Sequence, residues 1–229
     1  NEMKVQKQKA REAHRSRENS AWEKDLFANT DKSITTEFTG YTQYACESTV
    51  RFIISGDELV DAAQQDDEAA LVLDRTPFYA ESGGQTGDTG TISNSGFKME
   101  VTDCRKTSDG KYLHMGKVVS GSVRTGDKVI AEIDTERRKA AARNHTVTHL
   151  LQRALKNIVG EHVNQAGSLV TPERLRFDFT HFSAVTPEQL EAVENEVNEK
   201  ILENLKVTVR EMPVDEARKE GAMALFGEK

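Results

Sequence analysis

The stretch 144–151, "NHTVTHLL", sets two histidines, His145 and His149, four residues apart at the head of an apolar run. On an α-helix this spacing puts both rings on one face, one turn apart. The surrounding residues 137–159 predict such a helix, closed by Gly160 as the residue just past its end. At about 100° per residue, Val147, Leu150, Leu151, Ala154, Leu155 and Ile158 form one apolar arc, and the histidines fall on roughly the opposite side. Two neutral imidazoles so placed can supply half the ligands of a zinc ion, which takes four, or three and an open position. The plainer alternative is a pair of exposed histidines on a basic helix. The metalloprotease signature is excluded, because Thr146 stands where H-E-x-x-H puts its general-base glutamate. Neither cysteine opens a Cys-x-x-Cys or Cys-x-x-x-His pair, since Val50 and Ser108 follow Cys46 and Cys104 by four. His162 and His181 are the remaining candidate ligands, weighed against ordinary surface or hydrogen-bonded roles.

Downstream of this helix, "LRFDF" at 175–179 alternates like a strand. Thr186-Pro187-Glu188-Gln189 is a capping box with proline at the first helical position, and it opens a helix carrying Leu190, Val193, Val197, Ile201 and Leu205. "KVTVREM" predicts a further strand and "VDEARKEG" a short helix. Upstream, residues 33–136 change texture. "STVRFII", "AALVLD" and "FKMEVTD" read as strands, separated by the turn signals "SGD", "SGGQTGD", "NSG", "SDG" and "RTGD". Short strands so punctuated predict a small barrel or sandwich. Residues 3–27, rich in Lys, Arg, Glu, Gln and Ala, predict a connecting helix whose Trp22, Leu26 and Phe27 can dock.

The chain has 229 residues, enough for one large or two modest domains. No run of about 18 apolar residues exists, so no membrane-spanning helix is expected, and the first residues have no signal-peptide core. Two cysteines suit a reducing cytoplasm and buried free thiols. Opening without Met inside a charged pattern, the chain reads as a piece of something longer. The net charge of −7 conceals segregation. Residues 57–68 carry six acids and no base, whereas 137–156 carry six bases and no acid. Such a basic stripe can steer a polyanion, although on charge alone a solvated helix face is the ordinary reading.

"RNHTVTHLLQRAL", "HVNQAGSLV" and "LRFDFTHF" follow in the order and spacing of the editing domain of alanyl-tRNA synthetases, which this chain resembles. "TPFYAESGGQTGDTG" resembles the same family's glycine motif, and the closing "VREMPVDEARKEGAMALFGEK" its approach to a second metal half. Free-standing aminoacyl-tRNA deacylases share most of these motifs, and the threonyl-tRNA synthetase editing domain shares the histidine pair. The resemblance implies an α+β fold. A connecting helix (1–32) leads to a small β-barrel-like domain with the glycine motif (33–136). An editing core (137–229) follows, with helices packed on an antiparallel sheet.

The resemblance also implies a function: hydrolysis of tRNA(Ala) mischarged with serine or glycine. His145 and His149 then take the first two zinc positions, and the other two ligands are expected beyond Lys229. Thr148 and Gln165 match pocket positions and are the candidate catalytic pair. Gly83 and Gly84, with Arg143 and Arg176, are candidates for substrate contact, the last weighed against simple pairing to Asp178. Arg137, Arg138, Lys139 and Arg153 are further candidates for the backbone of the tRNA 3′ end. ATP would serve only an aminoacylation half that these residues do not include.

The error itself is physical. A pocket for alanine cannot exclude glycine, and it rejects an added hydroxyl only about 10²-fold. Two rival readings are a free-standing deacylase acting in trans and a non-catalytic tRNA-binding module.

Overall fold

The computed structural model describes Phe27 and residues 33–221. The expected connecting helix lies outside the described residues apart from Phe27, as do 222–229. The chain forms two compact units, residues 1–139 and 140–229.

The first unit is built on strands β1 (Glu37–Phe38), β2 (Ala45–Ser55), β3 (Glu58–Val60), β4 (Ala62–Gln64), β5 (Glu68–Leu73), β6 (Arg75–Thr76), β7 (Gly90–Asn94), β8 (Phe97–Lys106), β9 (Tyr112–Arg124) and β10 (Lys128–Ile133). Antiparallel pairing runs β10-β7-β8-β9-β5-β2, and β10 pairs β2 as well, which closes a six-stranded barrel. Closure removes the exposed sheet edges that an open sheet would offer to other chains. The predicted turn signals fall at real turns. "SGD" joins β2 to β3, "NSG" joins β7 to β8, and "RTGD" joins β9 to β10.

Strand β10 alternates exposed and buried residues without exception, as a half-buried strand must. Its buried members Val129, Ala131 and Ile133 join Val50, Ile53 and Met99, among others, inside the barrel. The "AALVL" run of β5 is instead buried on both faces. Leu71 and Leu73 point inward, while Ala70 and Val72 pack outside with Ile54, Leu113 and Phe27. Phe27 meets Phe52 edge-on at 5.6 Å, so this member of the expected docking trio does dock. Cys104 is fully buried and its burial pushes the thiol pKa well up, whereas Cys46 is half-buried.

Helix α1 (Thr135–Ile158) starts where Asp134 accepts a hydrogen bond from Arg137 N at 3.0 Å. In the second unit it is followed by the hairpin β11 (Gln165–Val170) and β12 (Leu175–Phe179), helix α2 (Pro187–Leu202) and the short α3 (Val214–Lys219). Ala154 and Leu155 of α1, Val163, and Val193 and Val197 of α2 form the core, flanked by Phe177 and Phe179. The capping box is complete: Thr186 Oγ1 accepts from Gln189 N at 3.2 Å, and Gln189 Oε1 accepts from Thr186 N at 3.0 Å.

One expected strand is missing: 206–212 is not in a sheet. Leu205, Val207 and Val209 are 61%, 77% and 85% exposed. Alternation licenses a strand, but a strand forms only against a partner, and none of the described strands pairs with this stretch. No helix among the described residues is long and apolar enough to cross a membrane.

Candidate functional site

The histidine pair lies on α1 as its spacing requires. The rings of His145 and His149 are stacked nearly parallel, with centroids 5.6 Å apart and 9° between planes. His149 is exposed and His145 half-buried. Burial, and then the proximity of His149, holds the His145 pKa below the usual histidine value. The neutral imidazole that a metal requires is therefore favoured near neutral pH. Among the described residues no group of three or more His, Cys, Asp or Glu side chains is placed to hold a metal. The pair thus offers two donors of a set.

Burial on α1 runs further round the helix than the apolar arc predicts. The buried residues are Ala141, Thr148, Gln152, Ala154 and Leu155. The arc of leucines marks only one border of the stripe, and polar residues complete the other, beside the histidines. Thr148 donates its hydroxyl proton to the His145 carbonyl at 2.6 Å, a bond back along its own helix. Its oxygen lone pairs remain able to accept.

Gln152, one turn beyond Thr148 and His149, is 4% exposed, and neither amide atom has a hydrogen-bond partner. Sequence reading passed over Gln152, although its spacing of three and seven from the two histidines places it on their face. Asn144 anchors the same helix to the hairpin turn by donating to the carbonyls of Thr171 (2.8 Å) and Pro172 (3.3 Å). Gln165, half-buried, opens β11 opposite Phe179.

Other candidates take quieter places. Arg176 pairs through Nε with Asp178 at 3.1 Å on the surface, a contact of little energetic consequence. Arg143 and Arg153 are exposed on α1, as are Arg137 and Lys139. Arg138 corrects its expected role as a phosphate contact, because its guanidinium is spent inside the barrel unit. It forks onto Asp88 and donates to the carbonyls of Gly40 and Pro77, each at 2.8 Å. His162 and His181 bond each other at 2.8 Å, which makes them hydrogen-bonded histidines in this fold.

Gly83 and Gly84 form the two-residue tip of a turn in which Ser82 and Gln85 exchange backbone hydrogen bonds. Both have positive φ, +59° and +81°, a region that glycine enters without a Cβ penalty. The turn's base is fixed by Asp88, whose carboxylate accepts from Tyr79 N at 2.8 Å and from Arg138. Thr76, at the head of this motif, accepts from Phe78 N and contacts His114 Nε2 at 2.6 Å. His114 Nδ1 must donate to the Leu71 carbonyl, 2.8 Å away, so Nε2 accepts the Thr76 proton and the buried ring is neutral. Burial brings its pKa down to about 4.

An open groove of about 500 Å³ on the barrel is lined by Glu100, Glu132 and Asp134, among others. Its charge suits no polyanion, and it includes none of the expected site residues.

The chain belongs to the family of class II (A) tRNA synthetases, whose profile matches residues 1–137. Within that class it resembles alanine–tRNA ligases. It is 58% identical over 227 residues to that of Acetivibrio thermocellus, covering 99% of this chain and 26% of the relative. It is 49% identical to that of Thermoanaerobacter sp. and 45% identical to that of Clostridioides difficile, each over 228 residues, with the whole of this chain and 26% of the relative covered. The chain therefore spans about a quarter of the length of the curated relatives it matches.

Proposed function

We propose that this chain is the proofreading portion of an alanyl-tRNA synthetase, acting on tRNA(Ala) esterified with serine or glycine. The observation that carries the reading is the polar face of α1: two parallel imidazoles with buried Thr148 beside them. Motifs in "HVNQAGSLV" and "LRFDFTHF" support it from the hairpin.

On this reading Thr148 Oγ1 accepts a hydrogen bond from the seryl hydroxyl, since its own proton is held by the His145 carbonyl. A bound alanine leaves that acceptor unsatisfied, at a cost of about 1–3 kcal/mol. Gln165 orients the ester from the first position of β11. The exposed Arg143 and Arg153 attract the phosphates of the single-stranded 3′ end.

His145 and His149 would hold two positions of a zinc ion. Bound zinc supplies a Lewis acid for the aminoacyl group or a water of lowered pKa. A second reading is a tRNA-binding module without hydrolysis.

One assay separates the two. Incubating the full-length enzyme that carries this chain with seryl-tRNA and alanyl-tRNA should release serine and spare alanine, with His149→Ala abolishing the release. Binding of both tRNAs with no release would leave the module.

A further inference from the structure

His162 and His181 belong to a built cluster that the proposed hydrolysis does not use. Besides the 2.8 Å bond between His162 Nε2 and His181 Nδ1, His181 Nε2 lies 3.1 Å from Ser183 Oγ. Phe182 stacks on His162 with centroids 4.4 Å apart at 22°, and its centroid is 5.0 Å from that of His181. Yet Phe182 is 83% exposed.

The cluster is held from below. Asn164 and Thr180 exchange hydrogen bonds at the mouth of the hairpin, Thr180 N to Asn164 O at 2.9 Å and Asn164 N to Thr180 Oγ1 at 3.1 Å. Gly160, at φ +140°, gives the His162 ring its room, since a Cβ there would lie 2.7 Å from Nδ1. A phenyl ring so exposed buries little for the fold. The rings it packs against are the two imidazoles.

We propose that His162, His181 and Phe182 form a stacking platform for an unpaired nucleobase at the 3′ end of the tRNA, next to Gln165. The proposal rests on the proofreading reading for its partner. The chemistry points to a base over a protein side chain. A heteroaromatic base offers a π face to Phe182 and polar ring edges to the imidazoles, whereas an aliphatic anchor would want an apolar pocket. Position agrees: Asn164 and Thr180 directly flank the Gln165–Phe179 pair. The base stacked there would be held beside the residue that orients the ester it carries.

The test uses this chain with a short single-stranded RNA ending in an unpaired adenosine, and a second RNA abasic at that position. Binding is read by fluorescence anisotropy. The unaltered chain should bind the abasic RNA about tenfold more weakly. Phe182→Ala should bind the intact RNA about tenfold more weakly and be indifferent to base removal, while Phe182→Tyr keeps both behaviours. Because Phe182 is exposed, its loss does not endanger folding.

Equal sensitivity to base removal in Phe182→Ala and the unaltered chain overturns the platform, as does a failure of the intact RNA to bind. So does self-association of the chain that Phe182→Ala abolishes without any coupling to the base, which would assign the ring to a protein contact. Deacylation is scored separately, on the full-length enzyme that carries this chain: base coupling without hydrolysis there keeps the platform and removes the hydrolytic reading, and hydrolysis without coupling does the reverse.

Discussion

In the barrel unit Asp88 and His114 are buried, Arg138 is mostly covered, and each is matched to named partners. In the helix–hairpin unit, Gln152 is just as buried and its amide meets none. The barrel's apolar strands likewise close on themselves, whereas Leu205, Val207 and Val209 of the second unit stay in solvent. Matched buried polar groups specify a structure and hold it rigid. Unmatched ones cost stability. By that contrast the barrel is the self-satisfied unit, and the face of α1 carries the unmatched group on which the proposed site is built.

The contrast breaks most visibly at Arg138. Arg138→Ala leaves Asp88 buried and uncompensated, and should destabilise the barrel by about 3–5 kcal/mol in chemical denaturation. Adding Asp88→Asn to that variant should recover part of the loss. A change of under about 1 kcal/mol would mean the clamp is not structural.

Next in size is the acid response. His114 is neutral when folded, with a pKa of about 4, and ordinary when unfolded. Between those values only the unfolded chain takes up the proton, so stability is full above about pH 6.5 and falls as pH drops toward 4, by about 3 kcal/mol in all. The lowered pKa of His145 acts in the same direction. His114→Asn, which keeps a donor for the Leu71 carbonyl, should flatten the pH profile of unfolding. An unchanged profile would place the acid sensitivity elsewhere.

The smallest effect has the opposite sign. Gln152→Leu removes two unsatisfied buried atoms and should raise stability by about 1 kcal/mol. A loss of that size would show that the amide is satisfied in solution.

Much of the fold is legible along the chain because local chemistry specifies it. The helix over 137–159 and its end at Gly160, the Thr186 capping box, the "LRFDF" strand and the turn signals of the barrel are all set by residues within a few positions of each other. What escapes is set by distant partners. The barrel's closing pair joins β10 to β2 across some eighty residues, and the stretch 206–212 alternates correctly but finds no neighbour. Arg138 illustrates the same limit at the site: within a run of six basic residues nothing local marks the one whose charge is turned inward. The histidine pair was legible from spacing. The burial of Thr148 and Gln152 was not, because the arc of leucines implied one covered face and the fold covers more.

The bond from Thr148 to the His145 carbonyl sets a limit on discrimination. A hydroxyl whose proton is committed can reward a donor, and it can do nothing else. On the proposed proofreading reading it would separate serine from alanine, while alanine and glycine, neither with a side-chain proton to give, would look the same to it. Action on glycine would then be a matter of volume, set by other atoms, and the two proofreading tasks would be separate traits of one site, open to independent loss.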